Sequence, residues 1–319
     1  MNTLVTGVAG FIGSNLAERL LTAGHSVLGV DCFTDYYPRE TKERNLTTLH
    51  KHSRFRFLET EITTANWKRL LVDVNQVFHL AAQAGVRRSW GTDFSIYTAC
   101  NIDATQVLLE ACVNTPIDRF VYASSSSVYG DEAPIPMSEN VRVRPVSPYG
   151  VTKLAAEHLA SLYWINHQVP TVSLRYFTVY GPRQRPDMAF HRFLRAIQRE
   201  QPITLYGDGE QTRDFTFIDD IVSATITAAS QGHPGNVYNI GGGSRVSVNQ
   251  VIQLMAAQIG NIPIINAEAP QKGDMRDTYA DTTLAQSDLN FVPSIGLEDG
   301  IRAEYEWLRT EPELGSCTT

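Results

Sequence analysis

Short apolar runs alternate with longer stretches of helical spacing through the first half of the chain. Thr3–Thr6, His25–Val30, Arg54–Leu58, Gln76–Leu80, Arg119–Ala123 and Thr171–Arg175 carry the β-branched and aromatic side chains expected of strands. Between them, Ser14–Ala23, Ala65–Val72, Thr98–Asn114 and Pro148–His167 repeat apolar residues every three or four positions, which predicts helices. Strict alternation of this kind is the pattern of an α/β protein with a parallel, doubly wound sheet. Beyond Tyr176 the pattern loosens. Strands are expected at Ile203–Tyr206 and Val237–Ile240, and helices at Phe190–Glu200, Asp219–Gln231, Val248–Ile259 and Leu297–Leu308. Ser247 with Gln250 forms a capping box at one helix start. The expected organisation is a first domain over 1–175, to which 215–240 returns with one more helix and strand, and a smaller, mostly helical domain over 176–319. Pro312–Thr319 reads as a frayed tail.

The first strand runs into Gly7, Gly10 and Gly13, spaced by three, and then into a helix. Gly7 permits the tight turn, Gly10 removes a Cβ that would block a pyrophosphate, and Gly13 lets the helix lie close on the strand. Gly24 ends that helix, and the following strand ends at Asp31. A carboxylate there accepts hydrogen bonds from a ribose diol and repels a 2′-phosphate, and Cys32, Phe33 and Thr34 bring no arginine to reverse the choice. The fold class is therefore Rossmann-type, with NAD as the expected cofactor rather than NADP.

Composition narrows the partners. A formal charge of −7 offers no basic stripe, so nucleic acid is not expected. Cys32, Cys100, Cys112 and Cys317 show neither CxxC nor His-linked spacing, and the eight histidines show no metal spacing, so neither a zinc site nor a disulfide framework is expected. A soluble protein of the reducing cytoplasm fits this pattern. No charged segment precedes an apolar leader, and no apolar run approaches membrane-spanning length.

Tyr149 and Lys153 lie four apart, on one face of the helix Pro148–His167. Upstream, Ser124-Ser125-Ser126-Ser127 directly follows a strand end. The carboxyl ends of strands in a doubly wound sheet form the ligand crevice, so this serine run and the glycine loop open on the same side. A phenol, a hydroxyl and an amine beside a nicotinamide are what alcohol oxidation requires. Tyr149 takes the hydroxyl proton, Ser125 aligns the same oxygen, and Lys153 favours the phenolate. Poising a phenol with an ordinary pKa of about 10 near neutrality needs roughly 4 kcal/mol of differential stabilisation.

Gly7-x-x-Gly10-x-x-Gly13, Ser125 and Tyr149-x-x-x-Lys153 together resemble the extended short-chain dehydrogenase/reductase family. Within it, His79–Arg87, Tyr176–Pro182 and Arg185-Pro186-Asp187-Met188-Ala189 resemble the nucleotide-sugar 4-epimerases that act on UDP-glucuronate. The resemblance implies a tightly held NAD, reduced and reoxidised within one turnover. It implies that Phe11 and Ile12 meet the cofactor in the glycine loop, that Glu61 and Ile62 lie beside the adenine, and that Leu80, Ala81, Ala82 and Tyr176 line the cofactor channel. It also places Asn101 near the catalytic helix and pairs two copies through a four-helix bundle.

Relatives that eliminate water or decarboxylate carry acids after the serine, where this chain has Ser126 and Ser127. Without an acid, proton removal at C5 has no base, which leaves oxidation and re-reduction at C4. Arg185 is the candidate fork for the C6 carboxylate of UDP-glucuronate, with Ser126, Ser127, Thr178 and Arg87 as further donors. Arg213 and then Arg192 are expected on the diphosphate, and Asp274 near the uridine ribose. Gln271, Lys272 and Arg276 leave open which cation closes there. Two other readings stay open: an epimerase for UDP-glucose or UDP-N-acetylhexosamines, and a non-catalytic NAD sensor on the same fold.

Overall fold

The structure, a computed structural model, describes residues 1–312; Cys317 and all but the first residue of the expected tail lie outside them. Its centre is a seven-stranded sheet of parallel neighbours. Strands β1 (Asn2–Thr6), β2 (Ser26–Asp31), β3 (Phe55–Glu59), β4 (Gln76–His79), β5 (Arg119–Ser125) and β6 (Thr171–Tyr176) run in the order β3-β2-β1-β4-β5-β6, and Val237–Ile240 completes the far edge beside β6. All six strands read from the pattern are present. The order reverses between β1 and β4, so a crevice opens beyond their carboxyl ends, at Gly7 and Leu80.

Side chains leave a strand to alternate faces, and the sheet buries both. Val5, Phe78 and Val121 point to one core with Leu16, Leu20 and Ile221, while their neighbours Leu4, Val77 and Phe120 point to the other with Leu108 and Ala160. Pro148–His167 and Val248–Ile259 are helices as expected, the second with its Ser247–Gln250 box closed. The first helix begins earlier than its pattern, at Phe11, because Gly10 serves as its cap.

Two expected helices need correction, and one helix was not expected. The helix expected at Ala65–Val72 is one turn, Trp67–Leu70, capped by Asn66 and ended before the chain enters β4. The helix expected at Thr98–Asn114 starts at Phe94, widens into a π-helical turn at Thr98–Asp103 and finishes as Ala104–Cys112. Arg39–Leu46 is a helix that apolar periodicity hides, since its buried face is made of Thr41, Lys42, Asn45 and Leu46. Among the described residues no helix is long and apolar enough to cross a membrane.

The glycine loop shows how closely the first helix is seated. Gly7 has φ of +70°, and a Cβ there would lie 2.8 Å from the Ala81 backbone nitrogen. A Cβ at Gly13 would lie 2.2 Å from the Gly7 carbonyl oxygen, so only glycine lets the helix meet β1 at this distance. Gly13→Ala should therefore cost ~2–4 kcal/mol of unfolding free energy in urea titration, since backbone must move to accept it; an unchanged midpoint would contradict the close seat.

Candidate active site

One cavity of about 520 Å³ runs from the glycine loop to the serine run. Gly7, Gly10, Phe11, Ile12, Gly13, Asp31, Glu61, Ile62, Leu80, Ala81, Ala82 and Tyr176 line it, as do Ser125, Ser126, Ser127, Tyr149, Lys153, Thr178 and Arg185. At one end the Asp31 carboxylate accepts hydrogen bonds from Ala9 N at 3.1 Å and Phe33 N at 2.9 Å, tying the glycine loop to the end of β2. Burial pushes this carboxyl up from its ordinary value, with those backbone donors opposing. A carboxylate has about four lone-pair sites, so two remain for a diol. The helix Phe11–Thr22 begins beside it with Gly10 as a cap that supplies no side-chain bond. Its first N–H groups are available to an anion. Such a cradle, with a free-handed acid at its end, fits an NAD molecule.

At the other end stand the phenol, hydroxyl and amine. Ser125 ends β5 opposite Tyr176 of β6, and its hydroxyl is hydrogen-bonded to the Tyr149 phenol. Burial pushes Tyr149 above its ordinary value, while the Ser125 hydrogen bond and the charge of Arg185 pull it back. Lys153 is buried with its ammonium 4.5 Å from the Tyr122 ring, and burial lowers it to about 7 against the opposing pull of Glu157. The expected poise near neutrality rests on the ammonium together with a cationic NAD, and burial acts against it, outweighing the Ser125 hydrogen bond and the Arg185 charge.

A buried network fixes the elements that carry these groups. Arg175 grips Glu157 with Nη2–Oε1 at 2.6 Å and Nε–Oε2 at 3.0 Å, and Ser124 donates to Glu157 Oε2 at 2.6 Å. Arg175 continues to the Tyr129 hydroxyl, which donates to Asn239 Oδ1. Above it, Thr105 donates to Asn101 O and so accepts from His79 Nε2, which leaves Nδ1 to accept from Thr6. His79, lowered to about 3 by burial and then by Lys153, is a neutral strut rather than a catalyst. Asn101 lies outside the cavity. Its side chain spans Gln83 N, Gln83 O and Thr152 Oγ1 at 2.7–3.0 Å, holding the loop after β4 against the catalytic helix.

The arginines separate into two groups. Arg185 lines the cavity, and Asp187 takes its Nε and Nη2 at 3.0 and 2.9 Å, leaving the Nη1/Nη2 end of the guanidinium. Arg87 lies outside the cavity, paired with Asp274 at 2.8 Å and stacked 4.2 Å from the Tyr206 ring. Arg213 donates to Thr212 O and Arg276 O in the field of Asp274 and Asp277, and burial lowers it. Arg276 is held bidentately by Asp208 at 2.7 and 3.0 Å, and Arg192 is exposed on the helix Ala189–Gln198. Arg87, Arg213 and Asp274 therefore gather in one place, and Arg192 stands apart from the cavity.

Sequence reasoning missed Lys42, Tyr36, Tyr37, Glu157 and Arg175. Lys42 is buried in the cavity wall and donates to Thr34 O at 2.6 Å, close enough to Asp31 to feel its charge. Glu157 stands two turns beyond Tyr149, and that spacing was the available signal for it. Among the described residues no group of three His, Cys, Asp or Glu side chains is placed to hold a metal ion.

Comparison with known proteins adds three likenesses. A Bacillus subtilis (strain 168) protein described as an uncharacterized UDP-glucose epimerase is 44% identical, over 97% of this chain and 98% of that one. The UDP-glucuronate 4-epimerase of Thermodesulfobacterium geofontis (strain OPF15) is 39% identical over 98% of this chain and 97% of its own. Among solved structures, the UDP-glucuronic acid 4-epimerase from Bacillus cereus in complex with UDP-glucuronic acid and NAD superposes with a TM-score of 0.94 at 44% identity, covering 97% of this chain and 99% of that one. The model of the NAD dependent epimerase/dehydratase family matches residues 3–241. With its glycine cradle, its Ser125–Tyr149–Lys153 group and that match, the chain belongs to the NAD dependent epimerase/dehydratase family.

Proposed function

We propose that this chain catalyses the reversible C4 epimerisation of UDP-glucuronate to UDP-galacturonate through a 4-keto intermediate. The observation that carries the reading is one cavity in which Tyr149, Ser125, Lys153 and Arg185 converge beside the glycine cradle, with serines rather than acids at 126 and 127. Residues 1–175 with 215–240 form the NAD-holding part, and 176–319 is the UDP-sugar-binding part, with residues of the first part completing the sugar site. NAD, when bound, takes a hydride from C4, returns it, and brings the positive charge that the bare site lacks. Tyr149 accepts the C4 hydroxyl proton and gives it back after the sugar has turned, while Ser125 orients that oxygen. Lys153 stabilises the phenolate and reaches the nicotinamide ribose. The free end of Arg185, with Ser126, Ser127 and Thr178, holds the C6 carboxylate. That grip also keeps the carboxylate of a β-keto acid out of line for loss of carbon dioxide. Arg87 and Arg213 take the diphosphate, with Asp274 at the uridine ribose.

Two substitutions test the chemistry. Tyr149→Phe should lower kcat at least ~10³-fold with UDP-glucuronate binding retained; a non-catalytic sensor would show no turnover to lose. Arg185→Ala should raise KM for UDP-glucuronate ~10–100-fold and leave UDP-glucose binding unchanged; equal effects on both sugars would favour the neutral-sugar epimerase.

Lys153 gives a pH signature. Burial lowers it to about 7, so at higher pH the unfolded chain keeps a proton that the folded chain has released. Stability then rises with pH across that window, and the full cost of the buried ammonium remains below it. In urea titrations of cofactor-stripped protein, the wild type should gain ~2 kcal/mol relative to Lys153→Met between about pH 7 and pH 9; a constant difference would contradict the depressed value.

A homodimer in the cytoplasm completes the proposal. Phe94, Ile96, Val151, Leu162 and Ile165 are exposed on the two helical segments expected to pair, whereas Leu108 and Leu109 are buried within the fold. Light scattering at micromolar concentration should give twice the chain mass; a monomer mass would refute the pairing.

A further inference from the structure

The loop from Gly181 to Met188 carries Arg185, and its geometry is set from outside the cavity. Asn15 Nδ2, on the helix that leaves the glycine loop, donates to Pro182 O at 3.2 Å, and Glu18 of the same helix pairs with Arg183 at 2.6 Å. Gln184 is buried; its N donates to Gly181 O at 3.1 Å, and its side chain bridges Val179 O and His191 N. The remaining tie is Glu304. This residue of the helix Leu297–Thr310 is fully buried, and its Oε2 accepts from Gly181 N at 2.7 Å. Its other oxygen has no hydrogen-bond partner among the described residues.

That arrangement is costly for a packing position, since an unpartnered buried carboxyl oxygen loses its hydration without return. Burial raises Glu304 well above its ordinary value, with the Gly181 N–H opposing. The site is also tight. Gly181 has φ of +130°, with Ile218 Cγ2 2.6 Å from where a Cβ would stand, and Gly300, one turn before Glu304, admits the Tyr180 hydroxyl 2.2 Å from its own missing Cβ. The helix Leu297–Thr310 therefore meets this part of the chain through Gly300 against Tyr180 and the Glu304 carboxyl against Gly181, which is itself seated on Ile218. Four residues beyond Gly181 lies Arg185, whose side edge is held by Asp187 and whose end is left to the cavity. A shift at Gly181 moves that end.

We infer that Glu304 is a positioning residue for the Arg185 loop, and that through Gly181 it sets how strongly a uronate is preferred to the neutral sugar. The inference rests on Arg185 meeting the C6 carboxylate. No contact between Glu304 and either ligand is involved.

The test measures dissociation constants for UDP-glucuronate and UDP-glucose by calorimetry on the NAD-loaded protein. Glu304→Leu, which deletes the acceptor, should weaken UDP-glucuronate about tenfold and change UDP-glucose less than about twofold. Glu304→Gln keeps an acceptor for Gly181 N and should restore both constants to within about twofold of wild type. In an Arg185→Ala background, Glu304→Leu should have no further effect on either ligand. Equal weakening of both sugars, no weakening of either, or an undiminished effect in the Arg185→Ala background would each overturn the inference. If Arg185→Ala alone leaves both constants unchanged, the carboxylate reading has failed first, and the inference falls with it. Should Glu304→Leu not fold, a Glu304→Gln variant that itself loses the preference contradicts the role of the acceptor.

Discussion

A single buried ion pair holds together the three elements on which the proposed chemistry stands. Arg175 precedes Tyr176 at the end of β6, Ser124 precedes Ser125 at the end of β5, and Glu157 lies one turn beyond Lys153 on the catalytic helix. With both partners about 95% out of solvent, neither charge can be left without the other. The geometry of Ser125, Tyr149 and Lys153 is thus fixed beneath the cavity floor, where substrate does not reach. The same carboxylate is the opposing charge that keeps Lys153 from falling below about 7. Structure and electrostatics here are one arrangement: removing Glu157 would release the helix and deepen the depression of the lysine together.

The substrate end is built differently. Arg87–Asp274, Arg276–Asp208 and Arg245–Asp277 are partly exposed pairs, each matching a cation to a carboxylate of the same chain. Exposed pairs of this kind contribute little to stability, so a diphosphate that takes Asp274's place on Arg87 forfeits little. Arg185 is better shielded, with its side chain 19% exposed, and Asp187 occupies only one of its two edges. For a chain of formal charge −7, such local cations are what an anionic nucleotide sugar requires. The rigid pair under the floor and the exchangeable pairs at the rim divide positioning from recognition.

Much of this was legible in the chain because the relevant signals are local. Six strands, the glycine spacing, Asp31 at a strand end and the Tyr149–Lys153 pair all depend on neighbours within a few residues. What escaped depends on distance. The helix Arg39–Leu46 has no apolar stripe, because its buried face consists largely of polar residues, of which Lys42 lines the cavity, so Lys42 could not be found by periodicity. Arg175 carries no motif, and its partnership with Glu157 and, through Glu157, with Ser124 exists only once β5, β6 and the catalytic helix are packed. Spacing places an ammonium near a phenol but says nothing of the desolvation that both undergo.

The central claim is that a hydride leaves C4 and comes back to the same carbon on its opposite face without escaping the protein. UDP-glucuronate carrying deuterium at C4, incubated with the purified protein in ordinary water and without added cofactor, tests it directly by NMR of the products. The account predicts UDP-galacturonate with the deuterium still at C4. Product carrying protium at C4, or no product even after NAD is supplied, would contradict it.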